Sequence, residues 1–537
     1  MLVLHSHIPY VLHHDPMEEE MLFEAVAETY IPLLRCFERL AAEGIPPRVT
    51  VSFSPALADQ LADPYFKRRF RQYCLEKAAW AVRDRSEFAA RQPHMEWLAL
   101  RWEQFYTGIY RDFTETRGED LLAGYRRLQD AGHIELMTCA ATHAYLPIIG
   151  SDQTIRAQVR AAVAAHTRHF GRRPRGFWLP ECGYRPGYWW KPPFTSRAAD
   201  PPQPRAGIDD LLAESGLEYF VIDGHQLHKS WPHDLSKSPF EPYLSGGHNG
   251  HAPLTAFARD ISLSLQVWRH QIGYPGDGTY LDFHKRHGAG RHRYWKITAA
   301  DLDMAYKDLY YPDDAALYRI PEHAGHYKWL IAQSLRNYCR DAGRPGLAVT
   351  AFDTELFGHW WFEGIEWLYL VLKWIHLDPE ISPATCTEAQ AVRAPHNRIG
   401  VCESSWGNHF DHSTWVNRDV EWVWEKIYHA EREMGYLARE FAKGRADDTL
   451  RRILRQAARE ALLLMASDWQ FMISNWSTRN LAERRVVEHH ADFERLARMA
   501  WDYGHGRWVA HAEWRFLWEC ECRDGLLPDL DPAIFAD

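Results

Sequence analysis

The sequence predicts an α/β fold, a (β/α)7 barrel followed by a C-terminal α-helical domain. Three observations carry this expectation. Seven short β-rich runs recur before residue 360, each apolar and then polar at its C-terminal end. Segments of helical pattern lie between most of them, and from about residue 361 amphipathic helices take over. Strand–helix alternation points to a parallel sheet. Polar residues collected at C-terminal strand ends fit a closed barrel better than an open sheet, because a barrel gathers its reacting groups on that rim.

In chain order the runs are LVLHSH (2–7), RVTVSFS (48–54), IELMTCAATH (134–143), GFWLPE (176–181), YFVIDGH (219–225), LTAFARD (254–260) and LAVTAFDTE (347–355). Among the helical segments, SDQTIRAQVRAAVAAHTRHFG begins with Ser and Asp as candidate N-caps and closes on Gly. Two stretches interrupt the alternation. Residues 188–206 are Pro-rich and read as an inserted surface loop, and 227–251 are rich in turn formers and read as a second long loop, a lid or substrate wall. The expected division is a barrel over 1–360 with those two insertions, a linking helical segment over 361–415, and a helical domain over 416–537.

A chain of 537 residues exceeds one ordinary core. Its 46% hydrophobic and 25% charged residues are those of a water-soluble protein. The net charge of −10, with no basic run, argues against a nucleic-acid partner. No apolar stretch of about 18 residues and no signal peptide stand out, so the expectation is no membrane and a cytoplasmic location. Nine cysteines without a C-x-x-C pair read as free thiols in a reducing compartment. The abnormal figure is aromatic content: 24 Trp, 25 Tyr and 24 Phe, many in loop-like stretches such as FGHWWFEG and SSWGNHF. Rings set beside Gly, Asn and His suit the flat faces of sugars.

Two acids sit in matched settings. Glu181 ends FWLPE and Asp353 lies near the end of AVTAFDTE, each after an apolar run and before an aromatic or Gly-rich turn. Paired carboxylates on facing strands are the working parts of glycoside hydrolysis, one attacking or activating water and the other protonating the leaving oxygen. The blander alternative is that both cap following helices or pair with rim arginines. Cys182 beside Glu181 is a possible nucleophile with no evident His–Asn partner. The His-x-His of His5 and His7, with His143, His225 and Asp353, admits an amidohydrolase-like metal site. No middle-strand lysine is placed to bridge two metals, so histidines donating to sugar hydroxyls are preferred and no metal or cofactor is expected.

The motifs HSHIPY (5–10), IELMTCAATHAYLP (134–147), WLPECGYRPG (178–187), FDTELFGHWWFEG (352–364) and SDWQFM (467–472) resemble, in order, the five signature regions of family 57 glycoside hydrolases. The likeness spans essentially the whole chain and is nearest to the α-1,4-glucan branching subgroup, with its (β/α)7 barrel and helical C-terminal domain. The resemblance implies a retaining double displacement with Glu181 as nucleophile and Asp353 as general acid and base. It implies glucan contacts from His5, His7, His143, Arg259, Trp268, Trp361, Trp406, Trp415, Asp468 and Trp469, with Asp468 reaching in from a helical domain that completes the cleft. An α-glucan is then the partner, and the protein a monomer or small homo-oligomer. A long loop with an aromatic tip matches 227–251, where Trp231 and Tyr243 are both candidates. The chain departs from the subgroup at SSWGNHFDHSTWVN (404–417), where Asn408, His409, Asp411 and His412 replace a Gly- and acid-rich run. Hydrolase, 4-α-glucanotransferase, amidohydrolase and non-catalytic glucan-binding readings remain as alternatives.

Overall fold

All seven runs are strands. A computed structural model describes residues 1–89, 91–194, 201–269, 273–442, 444 and 446–536. It contains β1 (Leu2–Ser6), β2 (Thr50–Phe53), β3 (Glu135–Cys139), β4 (Gly176–Trp178), β5 (Tyr188–Trp190), β6 (Gln203–Arg205), β7 (Tyr219–Asp223), β8 (Tyr243–Ser245), β9 (Leu254–Arg259) and β10 (Thr350–Asp353). Seven of these run parallel in the order β10-β1-β2-β3-β4-β7-β9, and β8 pairs antiparallel with the outer side of β9. Closure is looser than the sequence suggests. Between β9 and β10 one backbone bond, Asp260 N–H to Val349 C=O at 2.8 Å, takes the place of a ladder. The barrel is therefore open along one side.

The strands are short and buried on both faces because helices cover the outside while side chains fill the inside. The filling is a compact cluster of Val3, Met137, Trp178, Tyr219, Val221 and Phe257. Local rules set the helices. Ser151 caps the helix Asp152–Phe170 by accepting from Thr154 N–H at 3.1 Å, and Gly171, at φ 75°, ends it in the left-handed conformation that glycine adopts without strain.

Between β2 and β3 the helices Pro64–Phe88 and Pro93–Arg111 pack together as a long pair. The helix Gly364–His376 packs against Ile31–Ala42 and Ile320–Ala342. The C-terminal part is helical as expected, with Glu421–Leu437, Asp448–Leu464, Ser467–Ser474, Arg479–Gly504 and His511–Arg523. Among the described residues no helix is long and apolar enough to cross a membrane.

Both interruptions carry structure that their composition hides. In 188–206, β5 and β6 form an antiparallel pair with Tyr188 opposite Arg205, while 195–200 lie outside the described residues. The stretch 227–251 is not one loop: it begins within the helix Gly224–Lys229 and includes β8 at the sheet edge.

Candidate active site

The chain leaves β4 through Leu179 and turns sharply over Pro180–Cys182. Glu181 (φ 60°, ψ 20°) and Cys182 (φ 49°) are left-handed without being glycine. Such strain persists where surrounding contacts over-determine it. Here Trp406 N–H donates to the Glu181 carbonyl at 2.9 Å, and the Gln226 side chain donates to the Cys182 carbonyl at 3.0 Å. The turn aims the Glu181 carboxyl at the indole of Trp406, whose Nε1–H donates to Oε2 at 2.7 Å. Ser467 Oγ lies 3.4 Å from Oε1. Burial outweighs these donors and, with the nearby charge of Asp468, pushes the Glu181 pKa up to about 7. The capping alternative fails, since the chain continues from Glu181 into β5 and, among the described residues, meets no α-helix before Ile208–Glu214. Cys182 is buried and its thiol is held well above its ordinary pKa, chiefly by burial, which makes it a poor nucleophile.

Asp353 is the last residue of β10, in register with His5 of β1. Its side chain makes no cap to the short turn that follows. Burial raises its pKa well above its ordinary value; the charges of Glu355 and Glu181 add to this and Arg259 opposes it. Glu355, two residues on, is likewise pushed up to about 7 by burial, although Tyr30 O–H donates to it and His7 N–H donates at 3.1 Å. The rim thus holds Glu181 and Glu355, both pushed up to about 7, and Asp353, whose proton affinity burial raises well above its ordinary value.

The histidines form a layer across the β1 and β3 ends. His7 stacks on His143 with centroids 3.9 Å apart, and His5 lies 5.0 Å from both His143 and Trp178. Every ring nitrogen of the three has a partner. His7 Nε2 meets Asp468 at 3.0 Å and its Nδ1 meets Ser54 Oγ at 2.8 Å. His5 meets His143 at 2.9 Å and Ser52 Oγ at 3.3 Å, and His143 Nδ1 meets Ser467 Oγ at 2.8 Å. Because a carboxylate only accepts, His7 Nε2 carries the hydrogen toward Asp468. Burial lowers the pKa of His5 and His143 well below the ordinary value, so both are neutral. Burial would raise Asp468, but His7 more than compensates and holds it below the usual carboxylate value. Ser467 N–H also donates to the His143 carbonyl at 3.0 Å, so the helical part is bonded directly to the barrel rim.

These contacts bear on the metal alternative. His7, His143 and Asp468 bring donor atoms within 4.8 Å of one another, yet each is already engaged by a protein group. His225 is turned away, bonding Asp223 at 2.6 Å and Ser404 Oγ at 3.0 Å. Of the five residues of that alternative, His5, His7 and His143 come together in one layer, while His225 bonds elsewhere.

The tryptophans divide. Trp406 borders Glu181, with the Arg259 guanidinium 5.2 Å over its ring, and Trp268 is exposed at the end of its helix, 6.2 Å from the exposed Trp360. Trp361, Trp415 and Trp469 are buried. Trp361 packs on Trp367 and Tyr280, Trp415 stacks on Tyr145 at 4.4 Å, and Trp469 Nε1–H bonds the Leu463 carbonyl at 2.8 Å. Their placement is that of supports beneath the rim. In the pair Trp360–Trp361 it is Trp360 that faces outward. Of the two candidate loop tips, Trp231 is 67% exposed and Tyr243 is buried in β8.

Several participants are not evident from sequence. Ser467, adjoining Asp468, and Glu355, two residues after Asp353, lie inside the signature motifs. Ser52 and Ser54 give a weaker signal, as polar residues in an apolar strand run. The ion pair of Asp223 with Arg259 joins the ends of neighbouring strands, a proximity that only the register reveals.

Comparison with known proteins agrees with this geometry. Residues 1–389 match the model of glycosyl hydrolase family 57, and residues 426–535 match that of the 1,4-alpha-glucan branching enzyme C-terminal region. The chain is 38% identical over 506 residues to the 1,4-alpha-glucan branching enzyme TK1436 of Thermococcus kodakarensis, covering 92% of this chain and 72% of that protein. The crystal structure of that enzyme, in complex with glucose and additives, superposes with a TM-score of 0.91 at 36% identity, covering 100% of this chain and 96% of that one. The alpha-amylase AmyC of Thermotoga maritima superposes at 0.84 with 27% identity, over 100% of this chain and 98% of that one. The chain belongs to glycosyl hydrolase family 57.

Proposed function

We propose that this chain is a 1,4-α-glucan branching enzyme, cleaving an α-1,4-glucan and transferring the released segment to a 6-hydroxyl by a retaining double displacement. The observation that carries the reading is the asymmetric carboxyl pair. Glu181, aimed by its strained turn and by Trp406, ionises near neutrality and attacks the anomeric carbon. Asp353, whose proton affinity burial raises, is the acid that gives a proton to the departing 4-oxygen. The bond to the leaving sugar breaks as the Glu181–glucosyl ester forms. Asp353, now a carboxylate, takes the proton from the incoming 6-hydroxyl as that oxygen displaces Glu181 with a second inversion. Neutral His5 and His143 support His7, which Asp468 braces, as a polar wall beside the sugar site, where a sugar hydroxyl would take the place of one of the present protein contacts. Trp268, Trp406 and Arg259 line the cleft, and Trp231 is the aromatic tip that favours a sugar acceptor over water. The working polysaccharide is glycogen-like and the enzyme acts in the cytoplasm.

The test is incubation with amylose beside Glu181→Gln, counting new reducing ends and the α-1,6-linked chains released by debranching. New branches with few net reducing ends are expected for the wild type, and neither for the variant. Reducing ends without branches would assign the chain to the hydrolases or 4-α-glucanotransferases of the same fold.

A further inference from the structure

We propose that Phe410, its ring set against the His225 imidazole, is a stacking platform for a glucosyl unit of the bound glucan. The proposal rests on the glucan-active reading above and adds a binding residue to it. Phe410 lies in the stretch where this chain departs from the branching subgroup.

Strands β4 and β7 are neighbours in the barrel, so Glu181 after β4 and His225 after β7 stand side by side on one rim. The segment 404–412 spans them. At one end Trp406 donates to Glu181 at 2.7 Å. At the other the Phe410 ring lies against the His225 imidazole, with centroids 3.8 Å apart. The circuit closes behind them. His225 bonds Asp223 at 2.6 Å, Asp223 pairs with Arg259, and the Arg259 guanidinium lies 5.2 Å over the Trp406 ring. Phe410 is thus tied to the nucleophile through contacts on both sides.

Its position is fixed from several directions. The Phe410 carbonyl accepts from Ser404 Oγ, its N–H donates to the Gly407 carbonyl at 2.9 Å, and Ser405 Oγ braces the turn by donating to the Asp411 carbonyl at 2.6 Å. His409 (φ 67°) and Phe410 (φ 58°) are both left-handed without being glycine. That conformation costs free energy and leaves a large apolar ring 44% exposed. The imidazole meets the ring at a tilt of 40° and leaves part of it uncovered. A fixed, half-uncovered aromatic ring joined to the nucleophile's own support matches the apolar C–H face of a pyranose, whose hydroxyl edge the neighbouring polar groups can meet.

The experiment measures maltoheptaose binding by calorimetry and amylose kinetics for the wild type, Phe410→Ala, Phe410→Leu and Phe410→Tyr. Phe410→Ala and Phe410→Leu should bind roughly five- to tenfold more weakly, the loss of about one aromatic contact, with KM raised and kcat little changed. Phe410→Tyr, which keeps the flat face, should bind as the wild type does. The leucine variant keeps apolar volume without a flat face, so it separates stacking from packing should the alanine variant lose stability. Wild-type affinity in Phe410→Leu overturns the platform while leaving the branching reading intact. A wild type that binds no maltoheptaose and makes no branches overturns both.

Discussion

Two groups of carboxylates in this protein suffer the same desolvation and end with opposite proton affinities. On the barrel rim, burial leaves Glu181 and Asp353 above the ordinary range. At the seam between the barrel and the helical part, Asp524 and Asp59 are as deeply placed yet lie below it. The difference is the supply of cationic partners. Asp524 accepts from His14 Nε2 at 2.7 Å and from Arg523 Nε at 2.7 Å. Asp59 accepts from Arg168, from His169 at 2.6 Å and from Leu527 N–H at 2.6 Å. Asp353 has two like charges near it and one opposing arginine. A carboxyl paired with arginine and histidine fastens two parts of a fold; one buried without such charge is kept ready to give or accept a proton.

The largest effects should separate the two groups by kind. Asp353→Asn removes the proton donor while changing the side chain little, and kcat on amylose should fall by about 10²–10⁴, the usual worth of general acid–base catalysis, while the melting temperature at neutral pH should rise, because the amide has no charge to desolvate. A loss below tenfold would move the acid role elsewhere on the rim, with Glu355 the next carboxyl to test.

Asp524→Ala should do the reverse. Removing one partner of a buried ion pair costs about 3–5 kcal/mol, because His14, Arg485 and Arg523 are left facing one another. The melting temperature should drop by several degrees, while kcat per folded molecule stays within about twofold of wild type. Unchanged melting would show that the seam is held by its apolar contacts alone.

How much of this was legible in the sequence follows the same divide. The strands were readable because each is a buried apolar run, and Glu181 and Asp353 because an isolated acid after such a run has no structural excuse. The donors that set the proton affinities were not. Trp406 lies 225 positions from the Glu181 it bonds, and Ser467 lies 324 from His143. Only the folded register brings them together. Trp361, Trp415 and Trp469 show the complementary failure, since a tryptophan in a polar motif reads alike whether it faces sugar or supports the wall behind. The open seam at β9–β10 was hidden as well, because an unladdered edge covered by helices keeps the same composition as a paired one.

The finest test is thermodynamic and turns on sign. Glu181 has an ordinary value of 4.5 and titrates in the folded protein at about 7. Between these pH values the native state keeps a proton that the unfolded chain has released, so stability from this group falls as pH rises through that window and stays low above it. Glu181→Gln carries no charge to desolvate and can still accept from Trp406. Its melting temperature should match wild type near pH 4 and exceed it at pH 8. The gain is bounded by about 3 kcal/mol, because each tenfold change in proton affinity is worth about 1.4 kcal/mol. At the seam the sign reverses. Asp524 contributes stability above its unfolded pKa and loses it only as pH falls toward the folded value, so its variants should be weakened most at neutral pH. If Glu181→Gln were instead less stable than wild type at pH 8, the nucleophile would belong with the satisfied carboxylates, and the contrast between rim and seam would have to rest on Asp353 alone.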